Sequence, residues 1–573
     1  MPNFFTDNPD LLFHFDHLAL EEVVALVEHD YQQASVYDDA PTDYADAVQN
    51  YREVLTLAGQ IAADFIAPRA AQVDVEGNRL ENDRVIYATG IREALDRLGQ
   101  AELMGVTLPR KYGGLNFPTT IYIMAIEMIS RADASLMNLY GLQDIAETIN
   151  RFGNEAQREQ FLPQFASGAC TGAMVLTEPD AGSDLQAVKL QAYEDAEGTW
   201  RLRGVKRFIT NGCGDILLVL ARSEPGSKDG RGLSLFVCRS DETVKVRRIE
   251  HKLGIHGSPT CELQFNDTPA QLVGKRKFGL IKYVMDLMNG ARLGVAAQAL
   301  GIAQAAYEEA VRYARARRQF GQVIANLPVV ANMLIDMRVA LESNRSLLYA
   351  VAQWVDRRDK YGERAAQLRE RGESSAEAGE RAKQATQVAA LLTPLVKYVL
   401  SESANKITYD ALQIHGGAGY MREFPIERLT RDARVTNIYE GTSQLQIVAA
   451  SGPVLKDLLG EHFAAAEAKE YPGHLSGLAA KLQEIRRLFL DSREVVVAKA
   501  DKGFEEVAAR ELVDMYGYLF VGYLLLEQAQ VDSRKVFIAK RYIVSALAEA
   551  RKRAELITGD NFADVIHADK ILS

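Results

Sequence analysis

The stretch NIYEGTSQLQ, residues 437–446, sets one carboxylate, Glu440, between an apolar run and the start of a helix. Gly441 permits a change of chain direction, Thr442 or Ser443 can accept a hydrogen bond from a free backbone N–H, and QLQIVAAS consists of good helix formers. A carboxylate there has two possible uses. It can move a proton in catalysis, or it can serve the helix start, where aligned peptide dipoles favour negative charge, including a bound phosphate. Local sequence alone favours the second use. AMVLTEPDAGSDL (173–185) offers Thr177, Ser183 and small residues that let backbone N–H groups approach an anionic or heteroaromatic ligand, or that form an ordinary loop. KRFITNG (206–212) places the flat ring of Phe208 beside Thr210 and Asn211, a set that suits a planar cofactor and equally a turn after an amphipathic strand. ARRQFG (316–321) and QIHGGAGY (413–420) add an arginine pair fitted to phosphates or to surface ion pairs, and a second glycine-rich turn.

The elements that must position these groups follow from pattern. Up to about residue 170 apolar residues recur at helical spacing, as in DAVQNYREVLTLAGQIAADFIAPRAAQV and TTIYIMAIEMISRADASL, with GVTLPRKYGGLNFP as an intervening loop. From about 172 to 275 short strand-like runs alternate with turns: GTWRLRGVKRFITNG, ILLVLARS, LSLFVCRS and CELQFND. Helical periodicity then returns, and the charged stretch between 356 and 385 reads as a solvated helical protrusion. A β domain between helical domains is expected.

The 573 residues are too many for one core, and 47% hydrophobic with 25% charged residues is ordinary for a globular protein. A net charge of −11 argues against nucleic acid or anionic lipid as a partner. The cysteines, Cys170, Cys213, Cys238 and Cys261, are too widely spaced for a zinc or redox motif, so no metal and a reducing, cytoplasmic setting are expected. The N-terminus lacks the pattern of a secretory or transit segment, and MYGYLFVGYLLL is shorter than the ~20 residues of a membrane span, so a buried helix is expected there.

Taken together, GVTLPRKYGG, TEPDAGSDL, FITNG, KLGIHGSPTCELQF, MNGARLGVAAQALGIAQAAYEEAVRYARARRQFG, LQIHGGAGYMREFPIERLTRDARV and IYEGTSQLQ, in this order over roughly residues 50–455, resemble the acyl-CoA dehydrogenase family. The resemblance implies an α+β chain: an N-terminal extension (1–45), an N-terminal helical domain (46–171), a central β-barrel-like domain (172–278), a C-terminal four-helix bundle (279–456) and, as in the family's larger members, an additional helical domain (457–573). It implies FAD, contacted by Met174, Val175, Leu176, Thr177 and Ser183, by Phe208, Ile209 and Thr210 beside the isoalloxazine, and by Gly441, Thr442, Ser443 and Gln444. Arg317 and Phe320, with Gln413, Ile414, His415, Gly416 and Gly417, match residues that reach a neighbouring subunit's FAD, which implies a homodimer or homotetramer. Ser183, Asn289, Arg292, Tyr439 and Gly441 match substrate-side positions, and Glu440 matches the catalytic base.

The implied reaction is α,β-dehydrogenation of an acyl-CoA to its trans-2-enoyl-CoA, with electrons passed to an electron-transferring flavoprotein. The alternatives are an acyl-CoA oxidase and, against the acidic charge, a nucleic-acid-associated relative. Some members carry their base next to the position of Arg292, where this chain has Ala291, so the resemblance makes Glu440 the stronger candidate for the base. Phe208 stands where many members have tryptophan, Asp180 where glycine is frequent, and Gln319 where threonine is common. The acyl group is left open.

Overall fold

A computed structural model describes all residues except 18, 560, 561, 563, 564, 566 and 567. The chain forms two compact units, one of residues 1–309 with 415–440 and one of residues 310–414 with 441–573.

In the first unit helices come before and after a closed sheet. Helix Thr119–Ala132 is apolar nearly all round and correspondingly buried, whereas Glu155–Ala166 starts with a reciprocal capping box between Asn154 and Gln157. The N-terminal extension is anchored by a buried ion pair, Glu28 with Arg110 at 2.7 Å, which ties it to the GVTLPRKYGG loop. The seven-stranded sheet contains a ring. Strand Ile216–Arg222 pairs with Leu233–Arg239, which pairs with Thr260–Val273, then Trp200–Thr210, then Gln191–Glu194, whose Gln191 returns to Arg222. The barrel-like character expected of this region is therefore present.

Strand ILLVLAR shows why its sequence is continuously apolar. Ile216, Leu218 and Leu220 face a core shared with Ile145, Ile149, Phe161 and Phe165 of the helices, whereas Leu217, Val219 and Ala221 face the barrel interior with Leu202, Leu263 and Phe265. A strand covered on both faces has no polar side to alternate with. VKVRRI, which forms strand Val244–Ile249 on the edge of Thr260–Val273, carries the alternation instead, with Val244 and Val246 inward.

Among the described residues the regular structure of the second unit is helical apart from a hairpin of two-residue strands, Arg318–Gln319 with Gln322–Val323. Helix Pro328–Glu370 meets Ser533–Thr558 at a buried charge cluster: Glu342 lies 2.7 Å from Lys535, itself wholly buried, and 2.6 Å from Arg534. The block after 457, expected as an additional helical domain, is helical and lies in one compact unit with residues 310–414 and 441–456. MYGYLFVGYLLL lies in helix Lys502–Val531 and is buried along Met515, Leu519, Phe520, Val521, Leu525 and Leu526. Among the described residues no helix is long and apolar enough to cross a membrane.

Candidate active site

Glu440 ends a segment that is fastened to the first unit at successive points. Helix Pro425–Ala433 presents Arg431 to Asp74 at 2.6 Å and to Glu427 at 2.7 Å, and Asp432 accepts the Ile255 N–H at 2.5 Å. His256 completes the clamp at 2.9 Å from Asp74. Burial opposes a charged Asp74, but the His256 and Arg431 hydrogen bonds outweigh it and hold its carboxyl well below the usual range, while the imidazole is raised in turn. Gly254 is required by this approach, since a Cβ there would lie 2.6 Å from the Arg431 carbonyl carbon. The shared motifs KLGIHGSP and IERLTRDARV are therefore one clamp, which delivers the next residues to a cavity.

Tyr439 is the last fastening. Its hydroxyl meets Gln298 Oε1 and lies 3.1 Å from Asn138 Oδ1, and Gln298 Nε2 donates to Asn138 Oδ1 at 3.0 Å and to the Ala134 carbonyl at 2.9 Å. Burial, then the charge of Glu440, raises the Tyr439 phenol far above its ordinary value, so it stays protonated and serves as a donor. Glu440 follows with φ of 54°, a left-handed conformation that a non-glycine residue adopts only when its surroundings impose it.

Glu440 and Tyr439 line a cavity of about 50 Å³ with Met137, Asn138, Gly141, Leu142 and Asp144 from the N-terminal helices, Met174 and Thr210 from the sheet, and Ala291, Gly294 and Val295 from helix Met285–Ala316. Of the residues singled out in the sequence, Glu440, Tyr439, Met174 and Thr210 meet here. Asn289 and Arg292 lie on the same helix outside the lining, joined at 3.1 Å. Arg292 is buried, which lowers its pKa, and the charge of Glu440 acts against that shift. Ser183 lies on the surface, Val175, Leu176 and Ile209 are buried in the cores, and His415 is buried while Gly416 and Gly417 are exposed.

In the second unit Arg317, Gln413 and Gln444 are exposed and Ile414 is buried. Phe320 is 89% exposed with φ of 51°. Thr442, rather than Ser443, is the N-cap, accepting from Leu445 N at 3.4 Å, and Ser443 bonds Glu402. The Gly441 carbonyl accepts from the wholly buried Lys397 at 2.7 Å and from Gln446 at 3.0 Å.

The end of strand Trp200–Thr210 presents a flat side chain at the surface. A register shift between Lys206 and Ile209 rotates Phe208 outward at φ of 60°, leaving its ring 51% exposed beside Thr210. Asn211, a candidate ligand group in the sequence, is instead fully buried: its N–H meets the Pro259 carbonyl at 2.7 Å, its side chain donates to the Gly172 carbonyl at 2.9 Å, and it accepts from Tyr87 at 2.6 Å. Sequence reasoning missed Lys206, which is wholly buried. Its ammonium donates to the Leu176 carbonyl at 2.6 Å and lies 3.0 Å from Glu178, which also accepts the Lys189 and Leu190 N–H groups. It missed Asn138, Gln298 and Asp144 too, because their roles arise from helices brought together by folding.

Three family models match in sequence order: the N-terminal domain of acyl-CoA dehydrogenase over 49–169, the middle domain over 173–268 and the C-terminal domain over 281–451. The 3-methylmercaptopropionyl-CoA dehydrogenase of Ruegeria pomeroyi is 32% identical over 86% of this chain and 83% of its own. A chain in a structure of the electron transferring flavoprotein of Acidaminococcus fermentans is 32% identical, covering 71% of this chain and 98% of that one with a TM-score of 0.60. An acyl-CoA dehydrogenase complexed with FAD from Bacillus anthracis matches in fold, at 24% identity and a TM-score of 0.75, over 89% of this chain and 88% of that one. The helix, barrel and helix order and a cavity with one loop-borne glutamate define a flavin-dependent oxidoreductase. The chain belongs to the acyl-CoA dehydrogenase family, whose cofactor is FAD.

Proposed function

We propose that this enzyme converts an acyl-CoA thioester to the trans-2-enoyl-CoA, with Glu440 removing the α-proton. The observation that carries this reading is the placement of Glu440 in the cavity, in a left-handed conformation fastened through Tyr439. A thioester α-proton is weakly acidic, so its removal needs a base held at the carbon and a site without competing water. The cavity is small and largely apolar, so an acyl chain entering it would displace water, and the Tyr439 network fixes the backbone from which Glu440 reaches in. Phe208 and Thr210, with the Met174–Thr177 backbone, would hold the flavin beside that cavity. FAD, when bound, supplies the acceptor for the β-hydrogen and its electron pair.

Glu440→Gln keeps size and removes the base. The protein should remain yellow while anaerobic flavin bleaching by acyl-CoA is lost, and normal bleaching would end the assignment. Electron delivery to an electron-transferring flavoprotein is supported by the likeness to the Acidaminococcus chain; rapid peroxide release during turnover would favour the oxidase instead. Phe320, presented bare from its hairpin, supports a homo-oligomer in which Arg317 and Phe320 reach a neighbour's cofactor. A dimer is expected, and a light-scattering mass of four chains would contradict it.

A further inference from the structure

The cavity that holds Glu440 also holds a second carboxylate. Asp144 is the first residue of helix Asp144–Phe152, where peptide dipoles favour an acid, but that does not account for where the side chain goes. It lines the cavity, and its Oδ2 lies 3.8 Å from the point a Cβ on Gly290 would occupy, so it reaches toward helix Met285–Ala316.

The groups around it are named by element. Tyr122, on helix Thr119–Ala132, neighbours it and donates to the Tyr140 carbonyl at 3.2 Å, and the buried Tyr140 belongs to Ala134–Gly141. Glu147 and Arg151 share its helix; Thr107 donates to Glu147 at 2.8 Å, and Arg151 is committed to Asp286 at 3.0 Å. Glu440 lies on the same cavity. Among the described residues no cation is bonded to Asp144. Burial, then the charge of Glu147, pushes its pKa up to about 7. The adjacent Gln143 is 6% exposed, and neither side-chain amide atom has a hydrogen-bond partner among the described residues. Besides the two acids the wall is apolar along Met137, Leu142, Met174 and Val295, with Asn138, Thr210 and Tyr439 as its other polar side chains.

A purely alkyl chain in this cavity would press methyl and methylene groups against a carboxylate and take away its water, which is unfavourable for a polar group with spare acceptor capacity. A donor on the acyl chain meets that acceptor capacity with a hydrogen bond, whether the carboxyl is ionised or protonated. The cavity is small, about 50 Å³, which favours a short acyl chain. We propose that Asp144 is a specificity residue that selects short acyl-CoA thioesters bearing a hydrogen-bond donor, such as a hydroxyl, at the far end of the acyl chain. This rests on the dehydrogenase reading above.

The test compares butyryl-CoA with 4-hydroxybutyryl-CoA on the FAD-loaded full chain, by anaerobic bleaching and by kcat/KM with an artificial electron acceptor. The hydroxylated thioester should be preferred by at least about tenfold, since a site built around a substrate hydroxyl discriminates strongly against its absence. Asp144→Leu should reverse the preference. Asp144→Asn, nearly isosteric, should reduce it and serves if the leucine variant does not fold. A wild-type preference for butyryl-CoA or for succinyl-CoA, or a ratio indifferent to both substitutions, overturns the role of Asp144 and leaves the dehydrogenase reading standing. Bleaching by no acyl-CoA at all overturns both.

Discussion

Lys206→Met removes a buried ammonium and keeps most of its volume. Glu178, only 7% exposed, then loses its counter-charge, and the Leu176 carbonyl loses a 2.6 Å donor. Removing one member of a buried pair costs about 3–5 kcal/mol, because the survivor is left charged in a poor solvent. Two features place this site at the lower end. Glu178 keeps its backbone donors at 2.7 and 2.9 Å, and burial already depresses Lys206 to about 8 against the pull of Glu178, so the native pair carries a desolvation penalty that the variant partly relieves. The expected loss is ~3 kcal/mol, a fall of about 1 M in the urea midpoint for a slope near 3 kcal/mol/M. The loop so released, Leu176–Glu178, carries two of the expected flavin contacts, so the ratio of flavin to protein absorbance should fall as well. Adding Glu178→Gln should recover part of the stability, giving a measurable coupling between the two positions. A midpoint shift worth less than ~1 kcal/mol, with full flavin content, would refute the reasoning.

Tyr439→Phe deletes the hydroxyl that joins the Glu440 segment to Gln298 and Asn138. It should lower kcat about tenfold at a stability cost of ~1–2 kcal/mol, and steady-state rates equal to wild type would show that the network does not position the base. Asp144 has a folded pKa of about 7, above its unfolded value of about 3.9. Between those values the native state keeps a proton that the unfolded chain has released, so stability falls as pH rises through the window. Asp144→Asn should remove that decline, and urea midpoints at pH 5 and pH 8 that move in parallel for both proteins would contradict it.

How much of this was legible depended on the range of the interactions. ILLVLAR and LSLFVCRS announce themselves as strands because sheet burial acts on consecutive residues, and the Thr442 cap is read from a four-residue window. VKVRRI was passed over: six residues with three cations look like a loop until the edge of Thr260–Val273 gives the two valines something to cover. Asp144 resembled any acid in the first turn of a helix. Its meaning comes from Glu440, nearly three hundred residues later, and no window joins them.

The least legible positions share one physical property. Phe208, Asn211 and Glu440 adopt φ of 60°, 51° and 54°, where a side chain costs roughly 1–2 kcal/mol relative to the right-handed region. Propensity therefore argues against the conformations that the site requires. Each is imposed by partners distant in sequence: Asn211 by Gly172, Tyr87 and Pro259, and Glu440 by the helices that grip Tyr439. Phe208 is held by a register shift against Thr260–Val273 and by Arg207 over its ring, itself paired with Glu250 at 3.0 Å. Relaxing any of them toward the preferred conformation would turn the ring, the amide or the carboxylate away from its partners. Local strain held by remote contacts is thus the means by which a rigid barrel and helix scaffold aims its reactive groups, and it is why the local reading of NIYEGTSQLQ leaned toward a helix cap.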